Sequence, residues 1–342
     1  MTALLDKHRL IVSPALAPAA LRDTAESRSD GKAADAVLTI GLINNMPDSA
    51  LQATERQFAD LLQAAAGNNR IHLHCFSLPS IVRSQQARQR INQHYMDIAD
   101  LDRLRIDGLI VTGAEPNAAT LPEEPFWQEL TAVIDWAKAN TRSTIWSCLA
   151  AHAAVLHLDG IERQQLGEKC SGVYDCARLT DDWLIKDIRS PLKISHSRLN
   201  AVRKSDLAAK GYRVLTESTE AGVDIFAKEL SSRFIFFQGH PEYDALSLQR
   251  EYLRDITRFL GRQRDTFPRV PSGYFDRETE KKLAVFQKRA SAERRLPLSV
   301  ELPHLTLRSD IAAGVAASAI FGNWLEYLSD GIKPSPEKAH RR

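Results

Sequence analysis

Short apolar runs rich in β-branched residues alternate along this chain with amphipathic stretches of helical period, and that alternation limits its folds more than any other feature. AVLTIGLINNMP (36–47) is closed by Asn44, Asn45 and Pro47 and reads as a buried strand. In ALQATERQFADLLQAAA (50–66), Leu51, Phe58, Leu61 and Leu62 fall on one helical side. The strand-like IHLHCFSL (71–78) follows, then a polar helix or loop through QQARQRINQHYMDIADL (85–101). DGLIVTGA (107–114), the amphipathic FWQELTAVIDWAKAN (126–140) and STIWSCLAAHAAVLHLDG (143–160) repeat the theme. Further strands are expected in GYRVLTES (211–218), AGVDIFAKE (221–229) and SRFIFFQGHPE (232–242). Parallel strands need crossover connections, so the expected fold is α/β, a doubly wound and mostly parallel sheet with helices on both faces. Ligands in such folds sit beyond the carboxyl ends of the strands, here after Met46, Val111, Ser147 and Phe237.

The pattern divides the chain into an N-terminal arm (1–35), an α/β domain (36–262), a helical extension packing on that domain (263–330) and a tail (331–342). In the extension, Leu283 and Phe286 lie on one face of the charged helix DRETEKKLAVFQKRASAERR (276–295), the expected docking face.

Lys plus Arg is 45 and Asp plus Glu is 43, a net charge of +2, so no general attraction to nucleic acid or anionic membrane is expected. The most apolar segment, 311–328, contains Asn323 and Glu326 and reads as a packed helix rather than a membrane span. Four cysteines in 342 residues, none at zinc-finger spacing, suit a reducing compartment. The first thirty residues show no secretion signal, and a cytoplasmic location is expected.

Cys148 stands where the apolar strand of Ile145-Trp146-Ser147 meets a helix of small residues. A tight strand-to-helix turn exposes a side chain, and the helix N-terminus favours a thiolate and offers N–H groups to an oxyanion. Taken alone, Cys148 reads more readily as an inert buried thiol than as a nucleophile. Gly239-His240-Pro241-Glu242 supplies what it lacks, a base at another strand end with a carboxylate two residues on to orient it. The expected catalytic set is Cys148, His240 and Glu242. Metal ligation is not expected: His72 and His74 share a strand face without a companion ligand, and Cys170 and Cys176 read as structural thiols.

The order of NMP, VTGA, a cysteine elbow, EKxSGVY, HSR, GHPEYD and EYxRD resembles the homoserine O-succinyltransferase and O-acetyltransferase family, from about Val37 to Leu260 and again at FGNWLEYL. The resemblance implies a glutamine-amidotransferase-like, flavodoxin-like fold. It also implies acyl transfer from acyl-coenzyme A to the hydroxyl of homoserine, through a thioester on Cys148, in methionine or related sulfur amino-acid synthesis. By motif matching, His240 is the proton acceptor, Glu242 orients it, and Lys169, Ser197 and Arg254 bind substrate. Acyl-coenzyme A is then a co-substrate, no cofactor is needed, and a homodimer is implied.

Three departures from the family pattern stand out. Asp48-Ser49 follows NMP where basic residues are usual, Leu149 and His152 replace Trp and Gln in the elbow, and Asn117 occupies the position that marks the acyl donor. Succinyl and acetyl donors stay open on these residues. So do a serine-directed paralogue, a glutamine amidohydrolase and an inactive ligand-binding module.

Overall fold

The computed structural model describes residues 10–12, 37–295, 301–309, 311 and 315–330. Most of the expected N-terminal arm and the whole of the expected tail lie outside the described residues. The strands are β1 (Leu10–Val12), β2 (Val37–Ile43), β3 (Arg70–Phe76), β4 (Gly108–Val111), β5 (Ser143–Ser147), β6 (Gln164–Arg178), β7 (Leu192–Ala201), β8 (Arg213–Val214), β9 (Thr216–Ser218), β10 (Gly222–Val223), β11 (Ile225–Glu229) and β12 (Arg233–Phe237). The helices are α1 (Asp48–Ala65), α2 (Gln85–His94), α3 (Trp127–Asn140), α4 (Leu149–Asp159), α5 (Lys204–Ala209), α6 (Ser247–Leu260), α7 (Arg277–Glu293) and α8 (Val315–Asp330).

The main sheet runs β1-β3-β2-β4-β5-β12-β11-β8, and every pairing from β1 to β12 is parallel. Strand β11 adds antiparallel to β12, and β8 antiparallel to β11. The segment β3-β2-β4-β5-β12 is the 2-1-3-4-5 order of a flavodoxin-like sheet, with its switch between β2 and β4. Each central strand is buried on both sides. Leu38, Ile40 and Leu42 face a layer containing Phe58 of α1 with Phe321 and Trp324 of α8. Leu109, Val111 and Trp146 face Leu130 and Ile134 of α3 with Ala150 and Ala154 of α4.

Helix α8 is thus part of the main core, not an appendage. Trp324 is fully buried, its indole N–H donates to Ser143 Oγ at 3.0 Å, and Gly108 makes room for it: a Cβ there would lie 2.7 Å from the Trp324 ring. Helix α7 packs elsewhere, with Leu283, Phe286 and Ala290 set among Tyr252, Ile256 and Phe259 of α6. No described helix is long and apolar enough to cross a membrane.

A second, antiparallel sheet, β10-β9-β6-β7, was not expected. Two stretches read as single strands are each divided between the sheets: GYRVLTES supplies β8 and β9, and AGVDIFAKE supplies β10 and β11. The break is held by buried polar groups. Thr216 Oγ1 donates to Asp224 Oδ2 at 2.9 Å, Asp224 N donates to Thr216 O at 3.0 Å, and Ile225 N donates to Thr216 Oγ1 at 3.0 Å. These bonds satisfy the backbone groups that a change of sheet would otherwise strand.

Candidate active site

Cys148 is the single residue between β5 and α4, with φ 53° and ψ −113°. A non-glycine residue in this region costs on the order of 1–3 kcal/mol, tolerated only where the surroundings fix it. Here Cys148 N donates to Phe237 O at 2.8 Å, tying the turn to β12, and Cys148 O accepts from Ala151 N at 3.0 Å. Its neighbours Ser147, Leu149 and Ala150 are buried. The half-buried sulfur therefore stands at the positive end of α4, whose first N–H groups have no acceptor within the helix. The loop after β4 closes on the same place. A Cβ on Gly113 would come 3.1 Å from Leu149 N and 3.0 Å from its Cβ, tighter than a neighbour held in a helix accommodates.

His240 follows β12. Its Nδ1 lies 2.8 Å from Glu242 Oε1, its ring stacks on Tyr243 at 4.3 Å, and its backbone N–H donates to Ser195 O at 2.7 Å. Nε2 has no hydrogen-bond partner among the described protein groups. Burial would push the imidazole pKa down, but the Glu242 carboxylate and the Cys148 sulfur outweigh it and hold the pKa well above the ordinary histidine value. The pair therefore favours a protonated imidazole beside the sulfur.

Lys169 on β6 lies 3.2 Å from Glu251 Oε2 and 3.1 Å from Asp255 Oδ2, both on α6. Ser197 Oγ on β7 donates to the same Glu251 oxygen, and Tyr243 OH donates to Glu251 Oε1 at 2.5 Å. Burial would raise the Glu251 pKa, but Lys169 and these hydroxyls hold it below the usual carboxylate value. Arg254 on α6 approaches Asp255 Oδ1 at 3.4 Å.

Cys148, His240, Glu242, Lys169, Ser197 and Arg254 all line one cavity of about 470 Å³, with Met46, Pro47 and residues 112–116 on its other side. That is the switch point between β2 and β4. Asn117 lies off the lining. Its N–H donates to Glu124 Oε1 at 2.7 Å, and its side-chain amide to Glu115 O at 3.2 Å, so it touches the cavity only through its loop. The sequence reading missed Tyr243, Glu251 and Asp255. The one available signal was the i,i+4 spacing that puts Glu251 and Asp255 on one face of α6.

The remaining thiols and imidazoles sort differently. Cys176, His196 and Asp224, all buried, hold atoms within 4.8 Å of one another, the one grouping of metal-ligand type among the described residues. His196 Nε2 faces Asp224 Oδ1 at 3.3 Å, and Arg198 Nε donates to His196 Nδ1 at 3.4 Å. With Nδ1 accepting, the ring proton sits on Nε2 toward the carboxylate, which makes the group an imidazole–carboxylate pair beside a guanidinium.

A model of the family described as homoserine O-succinyltransferase matches residues 19–334. The homoserine O-succinyltransferase of Bradyrhizobium japonicum is 60% identical over 97% of this chain and 100% of its own length. That of Rhodopseudomonas palustris is 58% identical over 96% of this chain and 99% of its own, and that of Methylorubrum extorquens 44% identical over 86% and 88%. The chain belongs to the homoserine O-succinyltransferase family. It is an acyltransferase.

Against that family, two of the departures have a structural account. Asp48, after NMP, pairs with the buried Arg83 at 3.3 Å and accepts from Ser84 N at 2.7 Å, while Arg83 also donates to Met46 O and Asn44 O. The acid thus fixes the NMP loop from below through a guanidinium. His152 is buried on α4, its Nε2 3.1 Å from Gln238 Oε1, an oxygen that also accepts from Val202 N. Nε2 therefore carries the proton of a neutral ring, and burial pushes the His152 pKa down to about 4.

This depressed pKa has a pH consequence. Between the unfolded value near 6.5 and the folded value, only the unfolded chain takes up the proton, so stability falls as pH drops through that window. His152→Gln removes the penalty. Urea midpoints are expected to fall less between pH 7 and pH 5 in the variant than in the parent, by roughly 1–2 kcal/mol of unfolding free energy.

Proposed function

We propose that this enzyme moves a succinyl group from succinyl-coenzyme A to the hydroxyl of L-homoserine through a thioester on Cys148, serving methionine synthesis. The observation that carries this reading is His240, held by Glu242 and stacked on Tyr243, lining the cavity of Cys148 in a chain of this family. The Cys148 thiolate attacks the thioester carbonyl, and the N–H groups at the start of α4 stabilise the oxyanion that forms. The carbon–sulfur bond to coenzyme A breaks, and the departing sulfur takes the proton from His240. Homoserine then enters. Its hydroxyl gives its proton to His240 Nε2 as the oxygen attacks the acyl carbonyl, and Cys148 leaves as thiolate.

Glu242 keeps the second imidazole proton on Nδ1, so that Nε2 is the atom that cycles. Arg254 offers a fork to the homoserine carboxylate, and Glu251, kept ionised by Lys169, Ser197 and Tyr243, presents a negative charge to the ammonium group. Succinyl-coenzyme A mixed with enzyme in the absence of homoserine is expected to release coenzyme A and leave a succinyl adduct on Cys148 by intact mass. Turnover with no such adduct at any acyl donor concentration overturns the covalent route.

The close approach of the β4 loop gives a further expectation. Gly113→Ala would push Leu149 N–H out of line with the developing oxyanion. A loss of about 10²-fold in kcat is expected, the size of one oxyanion donor. The melting temperature, read alongside, separates that loss from unfolding.

A further inference from the structure

Six lysine and arginine side chains line the cavity around Cys148: Arg163, Lys169, Arg198, Arg254, Arg258 and Arg264. Five are engaged. Lys169 holds Glu251 and Asp255, Arg254 and Arg264 each approach Asp255 at 3.4 Å, and Arg258 approaches Glu115 at 3.8 Å. Arg198 donates to His196 Nδ1, Asn200 O and Ala221 O. The side chain of Arg163, half-buried in the turn between α4 and β6, forms no hydrogen bond or ion pair with any described residue.

A guanidinium that gives up part of its hydration without a partner is held at a cost. Burial depresses its pKa, and the two groups close enough to offset this are Glu124 and the Cys148 sulfur. Glu124 does not pair with it directly, and its Oε1 accepts instead from Asn117 N and Ala118 N. Arg163 is therefore a planar, five-donor fork within electrostatic reach of the nucleophile, near one carboxylate but bonded to none. Arg258, by contrast, is 42% exposed and approaches an exposed carboxylate.

We propose that Arg163 recognises the free carboxylate of the succinyl group while the other end of that group is joined to Cys148, and so selects a dicarboxylic acyl donor. This rests on the thioester reading above. A carboxylate matches the fork with two parallel hydrogen bonds, and an acetyl group leaves the cation as bare as in the empty site. Glu124 accepts from Asn117 N and Ala118 N, which ties the arginine's surroundings to the loop that carries Asn117.

The test compares Arg163→Leu and Arg163→Lys with the parent in single-turnover acylation of Cys148. The donors are succinyl-coenzyme A and butyryl-coenzyme A, which has the same chain length and no carboxylate. Arg163→Leu is expected to lower the succinyl-to-butyryl rate ratio by about 100-fold, the scale of one lost hydrogen-bonded contact between charged groups, and Arg163→Lys by clearly less. Parallel loss with both donors assigns Arg163 to the coenzyme or the nucleophile and overturns the proposal, as does an unchanged ratio. If the parent transfers succinyl with no detectable adduct, the same ratio is read from steady-state kcat/KM, so failure of the thioester and failure of Arg163 are told apart. Melting temperatures of both variants confirm that the fold is retained.

Discussion

Cys148→Ala is expected to lower turnover by on the order of 10⁴-fold or more and to abolish the acyl adduct, because Cys148 is the one thiol among the described residues that line the cavity. Cys148→Ser sharpens the test. It keeps a side chain of similar size on the same strained turn, so a comparable loss cannot be ascribed to a collapsed site. A hydroxyl is far less acidic than a thiol and will not ionise beside His240, so the serine variant should also be severely impaired. Rapid-mix kinetics with homoserine and succinyl-coenzyme A, read by release of coenzyme A, give both numbers. An alanine variant retaining more than about a tenth of the parent rate would point instead to direct transfer between bound substrates.

Trp324→Ala should destabilise the protein by about 3–5 kcal/mol, a large share of the ~5–15 kcal/mol typical of a folded domain. The indole is fully buried, fills the space that Gly108 leaves open under β4, and donates to Ser143 Oγ. The alanine leaves a void between a helix and a sheet that are both rigid, so little collapse is available to refill it. Urea midpoints at constant slope measure the loss. A change below about 1 kcal/mol would mean that α8 contributes little to the core, contrary to the packing seen.

What the sequence disclosed and what it hid follow from the range of the interactions. The central strands were readable because burial on both faces leaves runs such as STIWS and RFIFF without solvent-facing positions. The Cys148, His240 and Glu242 set was readable because strand ends in this architecture point at one crevice. The longest strand of the second sheet gave no such signal. Along the fifteen residues of β6, QQLGEKCSGVYDCAR, only Gly172 and Cys176 are buried, so neither alternation nor an apolar run marks a strand.

The surroundings of Glu251 were hidden for a different reason. EYLRD on its own reads as a solvated helix with local ion pairs. Its partners, Lys169 and Ser197, lie 82 and 54 residues earlier and meet it only after β6 and β7 have folded over the crevice. The division of two apparent strands at Leu215 and Asp224 likewise depends on the Thr216–Asp224 contact across the two segments, which no local pattern encodes.

The placement of α8 also sets the order in which a nascent chain can mature. Every side chain of the crevice leaves the ribosome before residue 315 does, yet one face of the central sheet is covered only in part, by α1, until the last described helix arrives. During that interval the exposed patch around Phe58, Phe237 and Ser143 is a ready target for chaperones. Ribosomes stalled short of this helix would therefore yield chains with a complete set of reactive groups and an unsealed interior.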